Sequence, residues 1–142
     1  MSVDLLLSRL ERVASTTPHC WTACCPAHHD VHPSLSIREL EDGRVLVHCF
    51  GGCDVMAVLE AVELDFGALF PDHGLGQHFK PEQHPFPAAD VLRCLAFEVT
   101  LVAVATSAAI AGEPLSSVDR QRLMLAVERF HAALAAGGID HA

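Results

Sequence analysis

The chain has 142 residues, 51% of them hydrophobic, and a formal charge of -9, with Lys80 the single lysine among nine basic residues. That length suits one or two small folded units, and the acidic balance excludes recognition that depends on a broad basic face. Six cysteines would suggest disulfides in a secreted protein, but no basic region followed by an apolar core and cleavage site opens the chain, so reduced thiols and a cytoplasmic location are expected.

Leu5, Leu6, Leu7, Leu10 and Val13 have helical spacing behind Ser2 and Asp4, which predicts a short N-terminal helix. Cys25-Pro26-Ala27-His28 follows, answered some twenty residues later by Cys49-Phe50-Gly51-Gly52-Cys53. Two ligand pairs, each on a tight turn and separated by a strand-length insert, are how a chain encloses one tetrahedral zinc ion. Cys25, His28, Cys49 and Cys53 are the expected ligands, and four protein donors leave no open position for catalytic water. Cys24, His29 and His48 adjoin these positions, with His19 and Cys20 just upstream, so the ligand set has chemically plausible neighbours.

Between the pairs, Leu35, Ile37, Val45 and Val47 alternate with Ser36, Arg38, Arg44 and Leu46 on either side of Asp42-Gly43, a strong hairpin signal. After Cys53, Asp54 can cap a helix whose apolar residues are Val55, Val58, Leu59 and Val62. The segment Leu64-Asp65-Phe66-Gly67-Ala68-Leu69-Phe70-Pro71 ends this half.

The run from Trp21 through Cys24-Cys25-Pro26-Ala27-His28-His29-Asp30-Val31-His32-Pro33-Ser34-Leu35-Ser36-Ile37, with Val47-His48-Cys49-Phe50 after it, resembles the zinc-binding domain at the N-terminus of bacterial and phage DNA primases. The resemblance covers residues 1–71, and its Cys-Pro-x-His, His-Pro-Ser-Leu-Ser and His-Cys-Phe elements occur together and in order. Replicative primases usually have two residues between the last cysteines. The three found here look like the version in primases of phages, plasmids and integrated elements. The resemblance implies zinc on Cys25, His28, Cys49 and Cys53, and contact with single-stranded DNA around Ser34, Ser36, Arg38, Arg44 and Phe50. Arg38, Arg44, His48 and Phe50 would supply cations for phosphates and a ring for base stacking. The other reading of these residues is an ordinary ribbon with Phe50 buried against a helix.

Residues 72–87 are rich in proline, glycine and histidine, which predicts an exposed linker. His73, His78 and His84 lack cysteine or carboxylate partners at matched spacing, so a second metal site is not expected there. Residues 88–142 then read as a helical hairpin. Leu92, Leu95, Ala96, Val99, Val102 and Ala103 form one stripe, and Ala111-Gly112-Glu113-Pro114-Leu115 breaks it. Ser116 with Asp119 opens a second helix as a capping box, with Leu123, Val127, Phe130 and Leu134 on its apolar face and Arg120, Arg122, Glu128 and Arg129 on the other. The uncharged run 99–110 is too short for a membrane span. A hairpin with one helix apolar nearly all round must pack on the first half, on a second copy or on another protein, and a homodimer or partner contact through residues 88–136 is favoured. Cys94 is expected to be a small buried hydrophobe.

The expected fold class is α+β: a zinc-ribbon-like antiparallel β-hairpin with flanking helices, then a C-terminal helical hairpin. No Asp-x-Asp pair, no Gly-x-x-x-x-Gly-Lys loop and no zinc-deaminase pattern occurs, so stand-alone catalysis is not expected. What remains is a primase-like zinc-finger protein of a phage or mobile element, binding single-stranded DNA and assisting a separately encoded primase, polymerase or helicase. The alternative is a zinc-stabilised protein-interaction adaptor working through the helical hairpin.

Overall fold

The computed structural model describes residues 3–71, 78 and 80–139. A short helix, α1 (Val3–Leu7), leads into a four-stranded antiparallel sheet of β1 (Glu11–Thr17), β2 (Cys20–Cys24), β3 (Leu35–Glu39) and β4 (Val45–Cys49), paired in chain order. Then come α2 (Val55–Ala61), a 3-10 turn (Phe66–Leu69) and the long pair α3 (Ala88–Ile110) and α4 (Ser117–Ala136). The α+β class and the C-terminal helical hairpin are as expected, but the ribbon is wider than one hairpin. Val13 stands in β1, not on a helical stripe, and Ser2 lies outside the described residues.

The predicted β3–β4 hairpin forms with Ile37 opposite Val47 and Glu39 opposite Val45. Gly43 closes its turn at φ +84°, a left-handed conformation that costs glycine little, and Asp42 accepts a hydrogen bond from the Arg44 amide. Odd-numbered residues of β3 and β4 enter one core. Leu35, Ile37, Val45 and Cys49 meet Val58 and Leu59 of α2, with Val3 and Leu6 of α1. Asp54 caps α2 as predicted, its side chain accepting from the Met56 amide at 2.9 Å.

The even-numbered face is covered as well. Phe50 packs with Phe86, Val91, Cys94, Leu95 and Ala133, with Leu46 and Phe130 alongside, so the near end of the hairpin docks on the sheet. β2–β4 are therefore covered by α1 and α2 on one face and by α3 and the end of α4 on the other, while β1 stays largely exposed. Asp90, fully buried at the start of α3, accepts hydrogen bonds from Thr16 of β1 and from Arg93, both at 2.8 Å. The described part of 72–87 is strapped down too. Arg38 donates to the carbonyls of His84 and Pro85, Arg44 to that of Lys80, and Phe86 is buried. His73 lies outside the described residues.

The capping box of α4 forms as read: Ser116 accepts from the Asp119 amide and Asp119 from the Ser116 amide. Arg122 and Arg129, expected on the solvated face, instead turn inward to Glu98 of α3. Arg122 binds both carboxylate oxygens at 2.9 and 2.6 Å, and Arg129 adds a third bond. Internal packing thus accounts for the near half of the hairpin. The far half stays uncovered, with Val104, Ile110, Val118 and Met124 exposed. By length and composition α3 is long and apolar enough to cross a bilayer, a property the uncharged run alone lacked. Its first half carries Asp90, Arg93 and Glu98, each bonded to a neighbouring group.

Burial works against ionisation of Glu98, but hydrogen bonds from Arg122 and Arg129 outweigh it and hold the carboxyl below the usual glutamate value. With the folded-state pKa below the unfolded one, this network contributes fully above the ordinary glutamate range and loses its contribution as pH falls through it. Glu98→Gln should cost on the order of 3 kcal/mol at pH 7, because two half-buried guanidinium groups then face each other uncompensated. Urea denaturation of both proteins from pH 7 to pH 4 should show the gap narrowing, and a pH-independent gap would contradict the assignment.

Candidate metal centre

The β2–β3 connection and the end of β4 meet at one corner of the sheet. Cys25 leaves β2 directly, His28 follows on the same turn, Cys49 ends β4, and Cys53 precedes the α2 cap. The donor atoms of Cys25, His28, Cys49 and Cys53 all lie within 4.8 Å of one another, an arrangement that could hold a metal ion. Nδ1 of His28 faces the sulfurs, 3.1 Å from Cys53 Sγ and 3.8 Å from Cys49 Sγ. Of the plausible neighbours, Cys24 and His48 lie next to ligands without entering the group. Cys20 is buried on β2, His19 pairs with Glu39, and His29 is exposed.

The backbone prepares this corner for thiolates. The Cys49 thiol is pulled down first by a hydrogen bond from Cys25, against burial, and then by the amides of Cys53 and Gly51. The same bond pushes Cys25 up, burial adds to it, and the Ala27 amide opposes both. Burial and the charge on Cys49 raise Cys53, while Arg129 of α4 acts in the opposite direction. Three sulfurs this close repel as anions, so they share protons or require a cation.

Asp30 was not singled out by spacing, yet it organises the connection. Its Oδ2 accepts from the Cys25 amide and the Ser34 hydroxyl, each at 2.7 Å, and its Oδ1 lies 3.6 Å from His28 Nε2. A carboxylate behind the imidazole favours the ring orientation that turns Nδ1 toward the sulfurs, a common partner of metal-bound histidine. The signal lay within the His-Pro-Ser run itself, whose serine shares this carboxylate. Gly51 is equally specific. A Cβ there would sit 2.8 Å from His28 Cε1 and 3.3 Å from Cys49 Sγ, so no side chain fits beside the ring.

The six residues expected to face DNA do not form one open face. Phe50 is 3% exposed in the second core, and Ser36 is fully buried under α3. Ser34 is bonded to Asp30, while the guanidinium groups of Arg38 and Arg44 are held by the 80–85 segment, Arg44 also by Asp42. His48 packs edge-on against Phe50, and burial lowers its pKa, which keeps it neutral at pH 7. The reading of Phe50 as a core residue is the one realised, because α3 covers the face that alternation alone left open.

A cleft of about 230 Å³ opens beside the centre, lined by His28, Asp30 and Gly51 on one wall and by Arg93, Phe97 and Glu98 of α3 on the other. Asp30→Asn keeps the shape but removes the charge behind His28. It should weaken metal binding by roughly 10- to 100-fold in a chelator competition, and unchanged affinity would deny Asp30 this role. Compared with known proteins, the chain matches no protein family, no curated protein and no solved structure.

Proposed function

We propose that this chain is a non-catalytic, zinc-stabilised accessory module of the primase zinc-domain type, which contacts single-stranded DNA for a separately encoded primase, polymerase or helicase of a phage or mobile element. The observation that carries this reading is the coincidence of sequence and geometry. The segment that resembles the primase domain supplies the four donors and also Asp30 and Ser34, which organise them. Three thiolates and an imidazole suit zinc, which accepts sulfur and nitrogen with no strong preference of its own. A tetrahedral zinc site has edges of about 3.8 Å between sulfurs and about 3.5 Å between sulfur and nitrogen. The observed 3.1 and 3.8 Å separations bracket the second value.

Zinc held by Cys25, His28, Cys49 and Cys53 would cross-link the β2–β3 connection to the end of β4 and supply stability rather than chemistry. The missing Asp-x-Asp pair supports a non-catalytic role. Buried Phe50 and occupied Arg38 and Arg44 shift any DNA contact away from the β3–β4 ribbon. With formal charge -9, affinity should be modest. Titrating labelled single-stranded oligonucleotides with the zinc-loaded protein should give binding at low salt that disappears on chelation. Structural zinc contributes about 10–16 kcal/mol to small modules of this kind, so its removal should also unfold the corner. An absence of low-salt binding would overturn the DNA reading.

A second reading has its own observation. The far half of the hairpin leaves Val104 65%, Ile110 82%, Val118 71% and Met124 63% exposed, more apolar surface than an isolated hairpin needs. This supports an adaptor that zinc merely holds together. Sedimentation of the purified protein should then show a dimer or a stable heterocomplex, and a strict monomer that captures no replication enzyme would count against it.

A further inference from the structure

Phe97 projects from α3 beside the metal corner with its ring half exposed, and the His32 ring lies nearly parallel to it, with centroids 5.6 Å apart and planes 22° apart. Among the described residues the other phenylalanine exposed to this degree is Phe66, whose ring is tilted against Phe70 at 56°. Besides an apolar groove along the hairpin, Phe97 borders two openings: the cleft of about 230 Å³ that reaches His28 and Gly51, and a shallower one of about 630 Å³ lined by Thr22, Pro33 and Thr100. Arg93, one helical turn earlier, borders both, with its side chain 56% exposed beyond the bond to Asp90.

We propose that Phe97 and His32 form a stacking platform for the bases of single-stranded nucleic acid, with Arg93 as its phosphate contact. This rests on the DNA-binding reading above, and moves its site from the ribbon to the seam between the sheet and α3. An exposed flat ring already stacked on one face offers its remaining surface to a base of any identity. Of the two carboxylates lining the inner cleft, Glu98 is compensated by Arg122 and Arg129, while Oδ2 of Asp30 is turned to the Cys25 amide and the Ser34 hydroxyl. Asp90 beneath Arg93 is fully buried and bonded to Thr16. Stacking is the main contribution expected, because Arg93 is the half-exposed cation bordering both openings.

The test is fluorescence anisotropy with the zinc-loaded full chain, using 20-nucleotide oligothymidine and oligouridine probes at several salt concentrations. Phe97→Ala should weaken binding by roughly 5- to 100-fold, and Phe97→Trp should restore it with quenching of the introduced indole. His32→Ala should weaken binding less, and Leu92→Ala, an exposed truncation on the same helix, should leave it unchanged. A logarithmic salt slope of about -1 agrees with one or two phosphate contacts. Equal binding by both probes, or preference for the DNA probe, supports the platform, and preference for the RNA probe overturns the DNA reading while leaving the platform in place. Wild-type binding that survives Phe97→Ala, or a slope steeper than about -2, overturns the platform while leaving the DNA reading intact. No binding by the wild type overturns both.

Discussion

Four donor atoms brought within 4.8 Å constrain the rest of this molecule, because they come from the turn after the inner strand β2, from the end of the edge strand β4 and from the loop that leads into α2. Cys25 and Cys49 are themselves members of the first core, beside Leu35 and Val58. Phe50, the residue after Cys49, belongs to the second, against Phe86 and Cys94. Moving the Cys49–Cys53 loop would therefore disturb both cores. Thiolates gathered here must be neutralised, and the fold partly does so through the amides of Ala27, Gly51 and Cys53. A bound cation would complete that neutralisation and so tie the packing of a small domain to metal loading.

The same electrostatic demand reaches α4. A divalent ion held by three thiolates and a neutral imidazole would carry net charge -1, and Arg129 acts on Cys53 from outside the ligand set. Its other commitment is to Glu98, which Arg122 grips on the far side. One half-buried guanidinium thus serves the metal corner and the helical hairpin together. This explains why the hairpin docks at its near end, where these charges are, and leaves the apolar far end bare.

Legibility followed the range of the interactions. The ligands could be read because each pair is local, and the β3–β4 hairpin because period-two alternation flanks Asp42-Gly43. The Ser116–Asp119 box was legible for the same reason. β1 was not: six of its seven residues are exposed, so it carries no alternation. Arg12 bends it at φ +53°, a conformation that a non-glycine residue does not advertise. Asp30 was hidden among polar neighbours, and its role depends on where the Cys25 amide and Ser34 point. Burial of Phe50 and Ser36 and the tethering of Arg38 depend on α3 and the 80–87 strap, some forty residues away. Nothing in the ribbon's own sequence distinguishes a covered face from a wet one.

The covered face bears on how the two halves act. A free-standing zinc ribbon would present its even-numbered residues to a ligand, and here those residues are the floor on which α3 rests. Removing the hairpin would expose Phe50, Leu46 and Ser36 and strand Thr16 without its Asp90 partner. The metal corner opens on one side to the seam where His28, Asp30 and Gly51 face Arg93 and Phe97 across a cleft, and on another to a recess lined by Arg9, Cys25, His28 and Glu63. Any ligand that approaches the corner from that cleft must also meet α3. Under the proposed DNA contact, the C-terminal half would be part of the binding surface rather than a tail carried beside it.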